Sequence, residues 1–118
     1  MQYETLMIEL NVALSLPKPE YIQSVSSFRI GEDVFHVTEH PADYVLMFAT
    51  VEPSEDAPVI EQNIFSQDPC RPVLGKEPQS NSYILWNRQP IAQLGRAQIH
   101  YQLEQLAYAA NQLAGKKV

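Results

Sequence analysis

The chain has 118 residues and a mass of 13.4 kDa, enough for one domain and one core but not two. Its formal net charge of −6 and pI of about 4.9 disfavour nucleic acid and anionic membrane surfaces, which are held by excess Lys and Arg. At 45% hydrophobic residues it is a globular composition, and no apolar run approaches the roughly 20 residues of a membrane span.

The opening MQYETLMIEL carries acids and no basic region ahead of its apolar part, so it does not read as a signal peptide. A cytoplasmic location is expected, and a lone cysteine, Cys70, agrees with a reducing compartment. Tyr3 to Leu14 predicts an amphipathic helix, with Tyr3, Leu6, Met7, Leu10, Ala13 and Leu14 on one face. Pro17 and Pro19 are expected to end it. Ser24 to Thr38 predicts a hairpin, in which Phe28 and Ile30 alternate with Ser27 and Arg29 before a four- or five-residue turn at Gly31-Glu32-Asp33. Val34, Phe35 and Val37 continue the second strand. After a turn at His40-Pro41-Ala42-Asp43, residues 44–51 form a nearly unbroken apolar run. That run predicts a central strand covered on both faces, or on one face by a partner.

The connector EPSEDAP leads to a short helix predicted around Val59, Ile60, Asn63, Ile64 and Phe65, which Gln67 to Pro72 breaks. Val73-Leu74-Gly75 and Tyr83-Ile84-Leu85-Trp86 are strands, the latter stopped by Pro90. Beyond Gly95, Ile99, Leu103, Leu106, Ala110 and Leu113 make one narrow apolar stripe of a final helix, with Gly115 past its end. The far side of that helix is assigned Gln98, Gln102, Gln105 and Gln112 with Tyr101 and Tyr108. It is either a neutral solvated face or a second contact surface. The order helix-strand-strand-strand-helix-strand-strand-helix predicts an α+β fold, an antiparallel five-stranded sheet with three helices in a single domain spanning 1–118.

No residues assemble a catalytic signature. Cys70 has an arginine neighbour but no framing motif, and His36, His40 and His100 do not have metal-ligand spacing. Neither a catalytic nor a metal role is expected for these four, and no cofactor is expected. The four glycines sit at turns and helix boundaries rather than in a phosphate loop. Glu52, Glu55, Asp56 and Glu61 read as connector solubility and helix capping, and Trp86 as a core or interface anchor. What remains is apolar surface in excess of what short helices can cover, which points to a binding module.

At this point the chain resembles the class I type III secretion chaperones, the Tir-chaperone-like family of small acidic bacterial proteins. The resemblance lies in an opening helix ending at Leu14-Ser15-Leu16-Pro17, the hairpin FRIGEDVFHV, the turn and strand HPADYVLMFATV, the helix APVIEQNIF, and LGKEPQSNSYILWNRQPIAQL before the last helix. It departs from the family in a shorter middle helix followed by a proline-rich loop.

The resemblance implies a non-enzymatic cytoplasmic chaperone. Such a chaperone binds the N-terminal segment of a secreted effector or gatekeeper and hands it to a secretion ATPase. It implies a homodimer, or a heterodimer with a related chain. It implies an interface at Ile60, Ile64 and Phe65 beside Leu85 or Trp86. It implies cargo grooves at Leu6, Leu10, Phe28, Ile30, Phe35 and Val37, with the hairpin as the sheet edge. The competing class is a small α+β interaction or regulatory adaptor, roadblock-like and unrelated to secretion.

Overall fold

The computed structural model describes residues 2–17, 19, 21–51, 72–77, 79 and 82–113. Five strands, β1 (Val25–Ile30), β2 (Asp33–Glu39), β3 (Tyr44–Val51), β4 (Val73–Glu77) and β5 (Ser82–Pro90), form one sheet in the order β1-β2-β3-β5-β4. Every neighbouring pair is antiparallel. Helices α1 (Tyr3–Ala13) and α2 (Arg96–Leu113) both contribute to the core on one face of this sheet. The α+β class and the five antiparallel strands are as expected. The expected middle helix, with Ile60, Ile64, Phe65 and nearby Cys70, lies outside the described residues.

Period-two alternation decides which side chains meet the helices. Phe28, Phe35, Val37, Val45, Met47, Ala49 and Leu85 point inward and are buried. They pack against Leu6, Met7 and Leu10 of α1 and Ile99, Leu103, Leu106, Ala110 and Leu113 of α2. The stripe predicted on α2 is therefore its core face. Glu9 of α1 pairs with Arg96 at the start of α2 and ties the helices together at their solvent side.

α1 stops earlier than its prolines require. Leu16 N–H donates to Asn11 O at 2.8 Å and Ser15 N–H to Val12 O at 3.0 Å. These are the two bonds of a Schellman closure, which satisfies the last helical carbonyls. The closure needs a left-handed residue, and Ser15 takes that role at φ 58°. A serine Cβ is strained there, whereas glycine is not. Ser15→Gly is expected to stabilise the fold by up to about 1 kcal/mol; a thermal melt with no upward shift would contradict this account of the helix end.

The β1–β2 turn is tighter than expected. Ile30 pairs with Asp33, so only Gly31 and Glu32 are left between the strands. Gly31 has φ 63°, and that left-handed backbone lets the chain reverse in two residues. At the next turn Asp43 adopts φ 69°, and its N–H donates to Glu39 Oε2 at 2.8 Å. α2 begins with half of a capping box: Gly95 N–H donates to Gln98 Oε1 at 3.1 Å.

Among the described residues, the core holds three polar side chains, Asn87, Gln89 and Gln102. Gln102, expected on the exposed side of α2, is fully buried against the sheet. Its Nε2 donates to Val45 O at 3.1 Å and to Asn87 Oδ1 at 3.2 Å. Its Oε1 accepts from Gln89 Nε2 at 3.0 Å, and its backbone carbonyl accepts from Asn87 Nδ2 at 2.9 Å. The network answers the hydrogen-bonding needs of each amide, which is what makes their burial tolerable.

Candidate binding surface

The six side chains expected to line a cargo groove converge on the core instead. Leu6, Leu10, Phe35 and Val37 are fully buried, Phe28 is nearly so, and half-buried Ile30 packs against the same cluster. Leu6, Leu10, Phe35 and Val37 offer no exposed surface while the helices stay packed on the sheet. Register puts the strand residues there. Position 28 pairs with 35 on the helix-covered face, so every second residue from each goes to the core. Leu85, expected at an interface with Trp86, is also fully buried, because adjacent strand residues face opposite ways. Trp86 lies on the other face and is half-buried.

That outer face is where the structure leaves apolar surface. Leu46 and Phe48 of β3 and Ile84 and Trp86 of β5 line a shallow hollow of about 360 Å³, with Arg88 at its side. Phe48 pairs with Trp86 and Leu46 with Arg88 across the two strands. The His36 ring rests 5.2 Å from the Phe48 ring, and its Nδ1 is 2.9 Å from Ser27 Oγ. Neither described α-helix covers the hollow. The clue in the sequence was the unbroken run 44–51, which has apolar residues at both parities. Its inward half is core and its outward half builds this face.

A second surface lies at the sheet edge. Among the described strands β1 has β2 as its only neighbour, so part of its backbone N–H and C=O row faces away from the sheet. Beside it runs a cleft of about 280 Å³ lined in part by Asn11, Tyr21, Ile22 and Phe28. Tyr21 is 71% exposed and Val25 42%, so apolar area flanks an open strand. Tyr3 closes the inner side of this edge, donating its hydroxyl to Val37 O at 3.0 Å. Burial pushes the Tyr3 hydroxyl above its ordinary pKa, so it stays a donor. The hairpin thus supplies a sheet edge, as expected, and of its core side chains Phe28 reaches the cleft beside it.

No cluster of three or more His, Cys, Asp or Glu residues that could hold a metal exists among the described residues. His36 is engaged with Ser27 and Phe48, and His100 lies 3.0 Å from Glu104 one helical turn away. On α2, Tyr101 and Tyr108 are exposed, and Gln112 Nε2 donates to the Tyr108 hydroxyl at 2.9 Å. No described helix is long and apolar enough to cross a membrane.

Residues 6–114 match the profile of the Tir chaperone protein (CesT) family. A protein named YopE regulator from Yersinia enterocolitica is 35% identical over 114 residues, spanning 94% of this chain and 88% of the relative. The YopE regulator of Yersinia pestis is 36% identical over 116 residues, with the same coverage of 94% and 88%. A chain in the ExoT–SpcS complex from Pseudomonas aeruginosa is 51% identical. It superposes with a TM-score of 0.80 over 92% of this chain and 94% of that one. A chain of the HopA1–SchA chaperone–effector complex has the same fold at 14% identity, with a TM-score of 0.73 over 94% of this chain and 91% of that one.

Proposed function

Because the chain belongs to the Tir chaperone protein (CesT) family of type III secretion chaperones, we infer that it binds the N-terminal segment of a secreted effector and keeps it secretion-competent. It does so in the cytoplasm, before export, and by binding rather than by chemistry. The observation that carries this reading is an apolar hollow on the outer sheet face, on the same sheet as an open edge strand. A segment held in non-globular form has unpaired backbone groups and uncovered apolar side chains. The β1 edge can pair the first, and the Leu46–Trp86 hollow can cover the second. The SpcS-containing and SchA-containing complexes support the reading, since each pairs a chain of this fold with another protein. The family match favours it over a roadblock-like adaptor.

The proposed assembly is a dimer, with its contact carried by the segment around Ile60, Ile64 and Phe65. Leu46, Phe48, Ile84 and Trp86 are only partly buried, so one described copy leaves some apolar area open on this face, in support of a second copy. Co-expression with secreted proteins encoded beside it tests both parts. An effector N-terminal segment should co-elute with the chain, resist proteolysis within the complex, and show no cooperative melt of its own. Light scattering should give two chaperone copies per complex. A folded chain that captures no such segment would sink the chaperone reading. A monomer mass at micromolar concentration would sink the dimer alone.

A further inference from the structure

The segment that leads from α1 into β1 lies across a groove. Ile22 and Gln23 line two clefts at once. One, of about 280 Å³, is walled by Asn11 near the end of α1 and by Ser26 and Phe28 of β1. The other, of about 350 Å³, is walled by Tyr3 and Glu4 at the start of α1 and by Thr38 near the end of β2. The two clefts follow one seam between α1 and the hairpin, and Ile22 with Gln23 separates them. From position 3 to position 11 the helix rises about 12 Å, the length of roughly four residues of extended chain.

Little holds the segment in place. Ile22 is half-buried and packs against the core cluster, while Tyr21, Gln23 and Ser24 are exposed. Among the described residues, Tyr21, Ile22 and Gln23 make no hydrogen bond. Ser24 is fastened by Thr38 Oγ1, which donates to its carbonyl at 2.8 Å. A stretch with one apolar anchor and no backbone hydrogen bonds opens at far lower free energy than the sheet beside it. It runs directly into β1, the strand with an open edge.

We propose that residues 21–24 are a displaceable strap: in the free chain Ile22 fills the middle of the seam between α1 and β1, and an extended cargo segment pairing with the β1 edge lifts Ile22 and seats an apolar side chain of its own there. The inference rests on the chaperone reading and adds to it a competitor built into the chain. The strap keeps apolar groove surface covered until cargo arrives. It lowers the apparent affinity for cargo by the fraction of the chain in which the groove is open.

Ile22→Ala separates an occupant of the groove from a wall of it. For an occupant, shortening the side chain lowers the melting temperature of the free chain and yet tightens cargo binding. The gain should be about fivefold, the equilibrium equivalent of half an isoleucine's burial. For a fixed wall, the same change weakens both. Thr38→Val leaves Ile22 intact and releases the carbonyl of Ser24, so it should also tighten binding, whereas Thr38→Ser should bind as the wild type does. The probe is the effector N-terminal segment recovered by co-expression, titrated calorimetrically. Hydrogen exchange of the free chain gives a reading without cargo. Amides at 21–23 should exchange far faster than those of Val37 and Met47 in the middle of the sheet. Added segment should slow exchange across 25–30 and leave 21–23 fast.

Unchanged or weaker binding by folded Ile22→Ala or Thr38→Val would overturn the strap. So would amides at 21–23 as slow as those in mid-sheet, or an added segment that slows them. Each of these results leaves the chaperone reading standing, because cargo still co-purifies with the wild type. A wild-type chain that captures no segment brings down the chaperone reading itself, and the strap with it.

Discussion

Phe35→Asp is expected to unfold the domain, not merely to weaken cargo binding. Phe35 is fully buried between the sheet and the helices, opposite Phe28. Truncating such a phenylalanine to alanine typically costs about 3–5 kcal/mol. A carboxylate at the same point adds an unpaired buried charge, which the interior cannot solvate. Against a total stability on the order of 5–15 kcal/mol, the cooperative transition should disappear. Phe35→Leu, which keeps the site apolar, should stay folded and keep its partner. On the outer face the balance shifts: Phe48→Asp, at a side chain only partly buried on the hollow, should stay folded with a lowered melt and lose cargo. Circular dichroism melts run beside pull-downs read both. A Phe35→Asp protein that melts normally and fails only in the pull-down would restore the groove that the burial pattern denies.

The second large effect is expected at Gln102. Gln102→Ala removes the side-chain partner of Gln89 and takes from Asn87 Oδ1 and Val45 O the donor that reaches them. Stranded buried polar groups cost about 1–3 kcal/mol each, so a loss of about 3 kcal/mol is expected for the set. In a domain of this size that corresponds to a melting temperature lower by roughly 10 °C. The asymmetry of buried hydrogen bonds supplies a sharper test. A triple variant with leucine at 87, 89 and 102 removes donors and acceptors together, so it should lose less than the single alanine change. If the triple variant is the less stable of the two, the network contributes more than mutual satisfaction. The network also bears on the binding face. Asn87 and Gln89 alternate with Trp86 and Arg88 along β5, so the same strand is anchored to α2 below and presents the hollow above.

How far the chain could be read from its residues depended on whether a feature was local. α2's stripe from Ile99 to Leu113 was legible, because a 3.6-residue period with four-three spacing leaves one face for the core. β3 from Tyr44 to Val51 was legible from its unbroken apolar run, and the hairpin from the alternation around Gly31. Other features turned on long-range partners. Gln102 looked like part of a polar surface because only its burial beneath Asn87 and Gln89 reveals its role. Phe35 and Leu85 looked available for partners because alternation separates two faces without saying which one the helices will cover.

The sequence by itself determined an acidic chain of α+β class, the order of the described strands and helices, and the family to which those elements point. Local rules suffice for that: period, turn chemistry and composition act within a few residues of one another. Only the tertiary structure decided the sidedness. Both helices fall on the face of Phe35, Met47 and Leu85, which consumes the side chains first assigned to cargo. The opposite face is left with Leu46, Phe48 and Trp86, and with Arg88 near the Tyr44 and Trp86 rings. The physical reason is that a strand apolar at both parities can bury either face equally well. The choice is made by residues 15 to 57 positions apart in the chain, through the packing of α1 and α2 and the Gln102 network that seats α2 on β3 and β5.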